Sequence, residues 1–141
     1  MMTAMRDRAG AIACLLGVLA LSNSARAEER EVPVKQKFVV RLQQAIRSND
    51  KVWLADHVRY PLRYFGHSTK QIPGKASFLK HYPALIGEKL RAGILTQDPE
   101  QVFETYQGMM IGDGPINLWV RQRGDDGLSD VFDIITINDK E

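Results

Sequence analysis

The chain of 141 residues has little cysteine, no long hydrophobic run and almost no excess of one charge. Its single cysteine, Cys14, excludes an internal disulfide framework. The longest apolar run, residues 9–21, falls short of the ~20 residues that a helix needs to span a bilayer, which excludes a multi-span membrane protein. There are 19 basic and 17 acidic residues, and 44% of the chain is hydrophobic, as in an ordinary globular protein. The length fits one domain.

The sequence also lacks the short motifs that carry common chemistries. It has no G-x-S-x-G nucleophile elbow, and the GDGP segment at residues 112–115 lacks the glycine spacing and the lysine of a phosphate-binding loop. The three histidines, His57, His67 and His81, are too far apart for a local metal motif. We therefore predict neither a metal site nor a cofactor.

Residues 1–27 have the organisation of a secretory signal peptide. Arg6 and Arg8 form a positive start, the apolar run at residues 9–21 follows, and Ala25 and Ala27 supply the small-residue spacing that signal peptidase accepts. We predict cleavage after Ala27 and a periplasmic or secreted protein. Residues 28–34, which are charged and contain a proline, are predicted to be a tether, and residues 35–141 a single domain.

Cleavage would change the charge balance. It removes three arginines, one aspartate and Cys14, so that 16 basic residues face 16 acidic ones. This neutrality argues against a nucleic-acid partner, which requires a basic domain or stripe. Residues 28–91 hold 13 basic and 6 acidic residues, whereas residues 92–141 hold 3 and 10. Either the two halves attract each other in the fold, or the basic side receives an anionic ligand or an acidic partner.

Apolar spacing predicts helices in the first part of the domain. Between residues 35 and 48, apolar side chains recur at spacings of three and four, which marks one helical face. Asn49 or Asp50 is predicted to cap a shorter second helix that ends before Pro61. A third helical region covers residues 75–95, interrupted at Pro83 and with Gly93 as its stop.

Alternating apolar and polar residues predict strands elsewhere. Residues 62–65 and 70–72 form a short hairpin around Gly66, and residues 102–111 form a long extended segment with a bend at Gly108. The pair Asp113-Gly114 is a strong hairpin motif that leads into a strand over residues 116–123, and GDDG at residues 124–127 makes a second turn. The last strand, residues 131–137, is apolar on nearly both faces and is predicted to lie in a sheet that is covered on both sides.

These elements predict an α+β domain in which N-terminal helices pack on a curved antiparallel sheet. Their order resembles the cone-shaped, cystatin-like architecture of the nuclear-transport-factor-2-like (SnoaL-like) superfamily. The stretches HVRYPLR, ASFLKHY and GMMIGDGPINLW are similar to an exported bacterial branch of it without assigned functions. The resemblance covers residues 35–138 and implies a pocket in the cone and dimerisation through the outer sheet face. The superfamily holds isomerases and dehydratases beside non-catalytic members, so the fold does not choose between them.

Asp133 and His57 are the candidate catalytic residues. Strict alternation places Asp133 on one face of the last strand with Ile137, where a carboxylate shielded from water could abstract a proton. The alternative is a carboxylate paired with Arg121 or Arg123 of the neighbouring strand. His57 either stabilises the negative end of a helix or lines a pocket as an acid or base.

Five residues are candidates for ligand binding. Arg59 and Arg63 are interleaved with tyrosines, including Tyr64, on one strand. Such a mixture either grips an anion or a planar ligand, or consists of half-buried tyrosines with arginines that extend over them. Trp119 and Tyr106 are large aromatics, each of which is either a dimer anchor or a pocket wall.

The sequence favours an exported, non-catalytic, homodimeric binding domain that takes a small amphipathic or anionic ligand or an acidic protein partner. One alternative is a cofactor-free isomerase or dehydratase that uses Asp133 or His57 as its base. Another is a periplasmic inhibitor or immunity-type protein that uses the sheet face with Trp119. An enclosed cavity around either base would favour the enzyme, an accessible cavity elsewhere the binding domain, and a broad exposed apolar patch the inhibitor.

Overall fold

A computed structural model describes residues 31–124, 127 and 129–140. The predicted signal peptide with Cys14, residues 28–30 of the predicted tether and the middle of the GDDG turn lie outside the described residues. No helix within the described ranges is long and apolar enough to cross a membrane. The elements follow in the order α1 (Val34–Ser48), α2 (Lys51–Asp56), β1 (Val58–Phe65), β2 (Thr69–Ile72), α3 (Lys75–Leu85), α4 (Glu88–Thr96), β3 (Phe103–Thr105), β4 (Gly108–Asp113), β5 (Ile116–Gln122) and β6 (Phe132–Asp139).

The joint between α1 and α2 confirms the predicted two-helix start. The C-cap of α1 is Asn49, whose φ of 55° and ψ of 44° are left-handed, a conformation that asparagine tolerates. Asp50 then caps α2, since its side chain accepts a hydrogen bond from the backbone N–H of Trp53 at 3.1 Å. The short second helix ends at Asp56, so that His57 follows its last residue.

The third helical region differs from the prediction because it forms two helices that break after Leu85 and not at Pro83. Pro83 lies in the last turn of α3 with an exposed side chain, where it removes a single helical hydrogen bond. The predicted stop at Gly93 is wrong. The helix α4 continues to Thr96, and Gly93 is buried where α4 crosses β4.

The sheet has the strand order β2-β1-β6-β5-β4-β3, with antiparallel pairs throughout except for the parallel pair of β1 and β6. A purely antiparallel sheet was expected. The long chain between β1 and β6 allows the parallel crossover, because two helices and four strands separate them. The predicted corner at Asp113-Gly114 is confirmed, since Asp113 pairs with Ile116 across the turn between β4 and β5.

The segment predicted as one extended strand, residues 102–111, is a hairpin of β3 and β4. The chain turns just before Gly108, which has a φ of 131°. A Cβ at Gly108 would overlap the carbonyl oxygen of Val120 on the neighbouring strand, so glycine is required for the close approach.

One face of the sheet packs against the helices in a single hydrophobic core. We call the opposite face the outer face. The expectation that β6 is covered on both sides is wrong, because Ile135 and Thr136 on the outer face are only half-buried. The following core residues are fully shielded from solvent: Val39, Leu42, Leu54, Leu62, Phe78, Leu90, Ile94, Ile111, Leu118, Ile134 and Ile137.

A bulge in β6 decides which of its side chains face the core. Trp119 pairs with Thr136 but Val120 pairs with Ile134, so Ile135 is the extra residue. Ile137 therefore lies on the core side, whereas Asp133 lies on the outer face opposite Arg121. Strict alternation had placed Asp133 and Ile137 on the same face, and the bulge corrects that prediction.

Candidate functional site

Asp133 lies in a paired-charge cluster on the outer face. Its side chain is 5% exposed, and its Oδ1 and Oδ2 accept hydrogen bonds from Nη2 and Nε of Arg123 at 2.5 and 3.0 Å. Nη2 of Arg59 lies 3.8 Å from Oδ2. The hydrogen bonds to Asp133 raise the pKa of the Arg123 guanidinium above its ordinary value. The alternative that pairs Asp133 with Arg123 is confirmed, and both carboxylate oxygens are engaged.

His57 is held at the end of α2 by Trp53. Its Nδ1 donates a hydrogen bond to the Trp53 carbonyl oxygen at 2.7 Å, and its ring stacks on the indole with centroids 4.0 Å apart. The guanidinium of Arg41 also lies over this indole, 4.6 Å from the ring centroid. His57 lines a small cleft of about 260 Å³ beside Phe38 and Arg41. Its stacking and its bond to the helix end give it a structural role there.

The five candidate binding residues do not form one site. Tyr64 lies half-buried on the helix side of β1, whereas Arg59 and Arg63 extend from the outer face. Arg59 is directed toward Asp133, and Tyr106, which is 90% exposed, lies in the turn between β3 and β4. The fold brings together only Arg63 and Trp119, which line one depression on the outer face.

A cavity of about 670 Å³ lies between the β1–β2 hairpin and α3. We call it the hairpin cleft. Its volume is within the range of sites for small molecules. It is lined by Tyr64, His67, Ser68, Lys70, Gln71, Ile72, Ser77, His81, Ala84, Leu85 and Asp139.

Tyr64 forms one wall of the hairpin cleft. Its hydroxyl lies 3.4 Å from both the Ala84 carbonyl oxygen and Oδ2 of Asp139, and it can donate to either. Burial, followed by the charge of Asp139, raises the pKa of the Tyr64 hydroxyl. Gly66 leaves room for the ring, because a Cβ at that position would lie 2.6 Å from Cε1 of Tyr64. The wall thus connects the hairpin to α3 and to the end of β6.

The cleft combines an apolar base with polar groups along its edge. Ile72 and Leu85 are buried side chains that supply the apolar surface. On α3, Nδ1 of His81 donates to the Ser77 carbonyl oxygen at 2.9 Å, which leaves Nε2 as the ring atom that can contact a ligand. Lys70, on β2, adds an exposed ammonium group.

Sequence analysis identified Tyr64 but missed His67, Lys70, His81 and Asp139 as neighbours. These residues belong to the hairpin, α3 and the end of β6, which are far apart in sequence and meet only in the fold. The sequence offered one indication of this site: His67 and His81 lie on either side of the turn that joins the hairpin to α3. Among the described ranges, no group of three or more His, Cys, Asp or Glu residues is arranged to hold a metal.

Comparisons of the chain with protein-family models, with curated proteins and with solved structures find no match. Support for a function therefore comes from two features of the molecule itself, the hairpin cleft and the outer face.

Proposed function

We propose that the protein is a non-catalytic binding domain whose hairpin cleft takes a small amphipathic molecule with an anionic group. The observation that carries this proposal is the composition of the cleft. An apolar base and an aromatic wall, Tyr64, adjoin hydrogen-bond donors within a cavity of about 670 Å³. Such a site buries the apolar part of a ligand and orients its polar end.

The charges along the cleft favour an anionic group on the ligand. Lys70, His67 and His81 supply nitrogen donors, whereas Asp139 is the one carboxylate among the described lining residues. Oδ2 of Asp139 lies within reach of the Tyr64 hydroxyl, so part of its acceptor capacity is already used. A carboxylate or sulfonate on the ligand would pair with Lys70 and accept hydrogen bonds from an imidazole.

Two observations favour binding over catalysis. Both carboxylate oxygens of Asp133 accept hydrogen bonds from Arg123, and His57 is stacked on Trp53. The carboxylate in the cleft, Asp139, lies beside a tyrosine whose raised pKa keeps its hydroxyl protonated. These groups suit ligand recognition better than proton abstraction.

We also propose that the domain has the nuclear-transport-factor-2-like fold and acts after export. Two helices, a hairpin, further helices and a sheet with helices on one face support the first point. The composition of residues 1–27 supports the second.

The proposal is tested by an NMR titration of the protein with anilinonaphthalene sulfonate, an apolar ring system that carries an anion. We expect saturable shifts of backbone amides at residues 66–72 and 77–85. Ala84→Phe fills the cleft and should weaken binding at least about tenfold, equivalent to about 1.4 kcal/mol. Ala92→Phe is the matched control, since Ala92 is an exposed helical alanine outside the cleft lining.

A second pair of variants tests the anionic group. Lys70→Gln should weaken binding of the sulfonate probe several-fold, whereas Lys80→Gln, which removes an exposed ammonium outside the cleft lining, should not. Amide shifts that map to another surface, or equal effects of Ala84→Phe and Ala92→Phe, would contradict the proposal.

A further inference from the structure

The outer face carries a continuous row of side chains across five strands. Phe103 pairs with Met110, Met110 with Trp119, Trp119 with Thr136, and Thr136 with Arg63. A depression of about 320 Å³ lies along this row. It is lined by Arg63, Gln107, Trp119, Arg121, Ile135, Thr136 and Asn138.

Among the residues that the structure describes, the lining of the depression has two cations and no acidic residue. Arg63 and Arg121 are exposed, and neither forms an ion pair with any of the described residues. The nearest carboxylate along the strands, Asp133, is already held by Arg123 and lies close to Arg59. As far as the structure describes it, the outer face therefore presents unbalanced positive charge at the depression, although the chain after the predicted cleavage is neutral.

An apolar surface adjoins these two cations. The Phe103 ring packs edge-on against the Trp119 indole, with centroids 6.4 Å apart and planes at 84°. Phe103 is 56% exposed, its strand partner Met110 is half-buried, and so is Ile135, which lines the depression with Trp119. Aromatic, methionine and arginine side chains grouped in this way are typical of the energetic centre of a protein–protein interface.

We propose that the outer face docks an acidic segment of a partner protein. An aromatic or aliphatic side chain of the segment packs on Trp119 and Ile135, and its carboxylates pair with Arg63 and Arg121. The partner is acidic because it supplies counter-charges to two guanidinium groups that form no ion pair with the described part of the chain. This site is separate from the hairpin cleft, and the inference does not depend on the function proposed for that cleft.

Charge also argues against two other occupants. In a symmetric dimer through this face, each copy would present the same patch, which would bring the unpaired arginines of the two copies together. A nucleic acid would need a longer run of phosphate contacts than two free guanidinium groups supply.

The test is selection of a displayed library of random peptides against the intact protein. We expect enriched peptides that combine several Asp or Glu residues with an aromatic or aliphatic residue. A synthetic peptide of the enriched sequence should bind at least about tenfold more weakly to the double variant Arg63→Gln/Arg121→Gln, since each charge-assisted pair contributes substantially. Its affinity should also fall as salt rises.

Three controls make the outcome decisive. Arg47→Gln removes an exposed arginine from α1 and should leave peptide binding unchanged, as should Ala84→Phe in the hairpin cleft. Circular dichroism should show that the double variant is folded. The proposal is overturned if no peptide is enriched, if the enriched peptides are not acidic, if they bind the double variant normally, or if sedimentation shows a dimer that Trp119→Glu dissociates.

Discussion

The hydroxyl of Tyr60 shows how burial changes the acid strength of one side chain. Tyr60 is half-buried on the helix side of β1, and its hydroxyl donates a hydrogen bond to the Ala55 carbonyl oxygen at 2.9 Å. Burial, followed by the negative charge of Asp56, raises the pKa of Tyr60 to about 12. In the unfolded chain the hydroxyl would titrate near pH 10.

This difference predicts a loss of stability at alkaline pH. Below about pH 10 the Tyr60 hydroxyl is neutral in the folded and in the unfolded chain. Between about pH 10 and 12 it ionises in the unfolded chain only, so the free energy of unfolding falls as pH rises. The slope should stay below the ~1.4 kcal/mol per pH unit of a fully coupled proton, because the side chain is partly exposed. Tyr60→Phe should reduce the slope in urea denaturation, and Tyr106→Phe, at a 90% exposed position, should not. Equal slopes in both variants would refute this.

Asp133 shows what sequence reasoning achieves for a single residue. The sequence placed arginines on the strand next to Asp133, and a pair with Arg123 is present. It could not place Asp133 on the correct face relative to Ile137, because the bulge at Ile135 depends on how β5 and β6 pair. Strand register is set by partners that are distant in sequence.

Among the elements, α1 and α4 are joined by a buried amide. Nε2 of Gln43 donates hydrogen bonds to the carbonyl oxygens of Ile94 and Gln97, at 3.0 and 2.7 Å, at the C-terminal end of α4. Oε1 of Gln97 in turn accepts from the backbone N–H of Gly112 at 3.3 Å, which extends the connection to β4. The Ile94 carbonyl oxygen also accepts from the backbone N–H of Gln97 at 3.3 Å, so Gln43 is a second donor there, whereas at the Gln97 carbonyl oxygen, just past the end of α4, it supplies a donor that the helix does not.

We expect Gln43→Leu to lower the free energy of unfolding by about 2 kcal/mol, because the volume is nearly kept while two hydrogen bonds are lost and the Gln97 carbonyl oxygen loses its side-chain donor. Gln44→Leu is the matched control at the next position of α1, where the side chain is exposed, and it should change stability little. Urea denaturation of both variants measures the difference. A loss of the same size in the two variants would show that the amide of Gln43 does not hold the helices together.

At the scale of the whole molecule, the helical layer approaches the sheet closely at Gly93. A Cβ built there would lie 3.2 Å from the backbone nitrogen of Asp113 and 3.4 Å from the Cα of Gly112. Both neighbours are backbone atoms of β4, which cannot rotate away as a side chain could. The spacing between the two layers at this point therefore depends on the absence of a side chain.

Gly93→Val should force α4 away from β4 and lower the free energy of unfolding by about 2 kcal/mol, within the range for overpacked cores. Ala92→Val introduces the same side chain one position earlier on an exposed part of α4 and should cost far less. Thermal and urea denaturation compare the two variants. If Gly93→Val were as stable as Ala92→Val, the close approach would not limit the packing of the layers.

The sequence by itself determined the local structure: the helical face of α1, a cap of α2 at Asn49 or Asp50, the alternation in β1 and the corner at Asp113-Gly114. Each depends on neighbours within a few residues, for which periodicity and turn chemistry suffice. Only the tertiary structure decided the parallel pair of β1 and β6, the continuation of α4 through Gly93, and the grouping of lining residues in the hairpin cleft. Those features arise because segments far apart in sequence pack together, and local propensity carries no information about which distant segment becomes the neighbour.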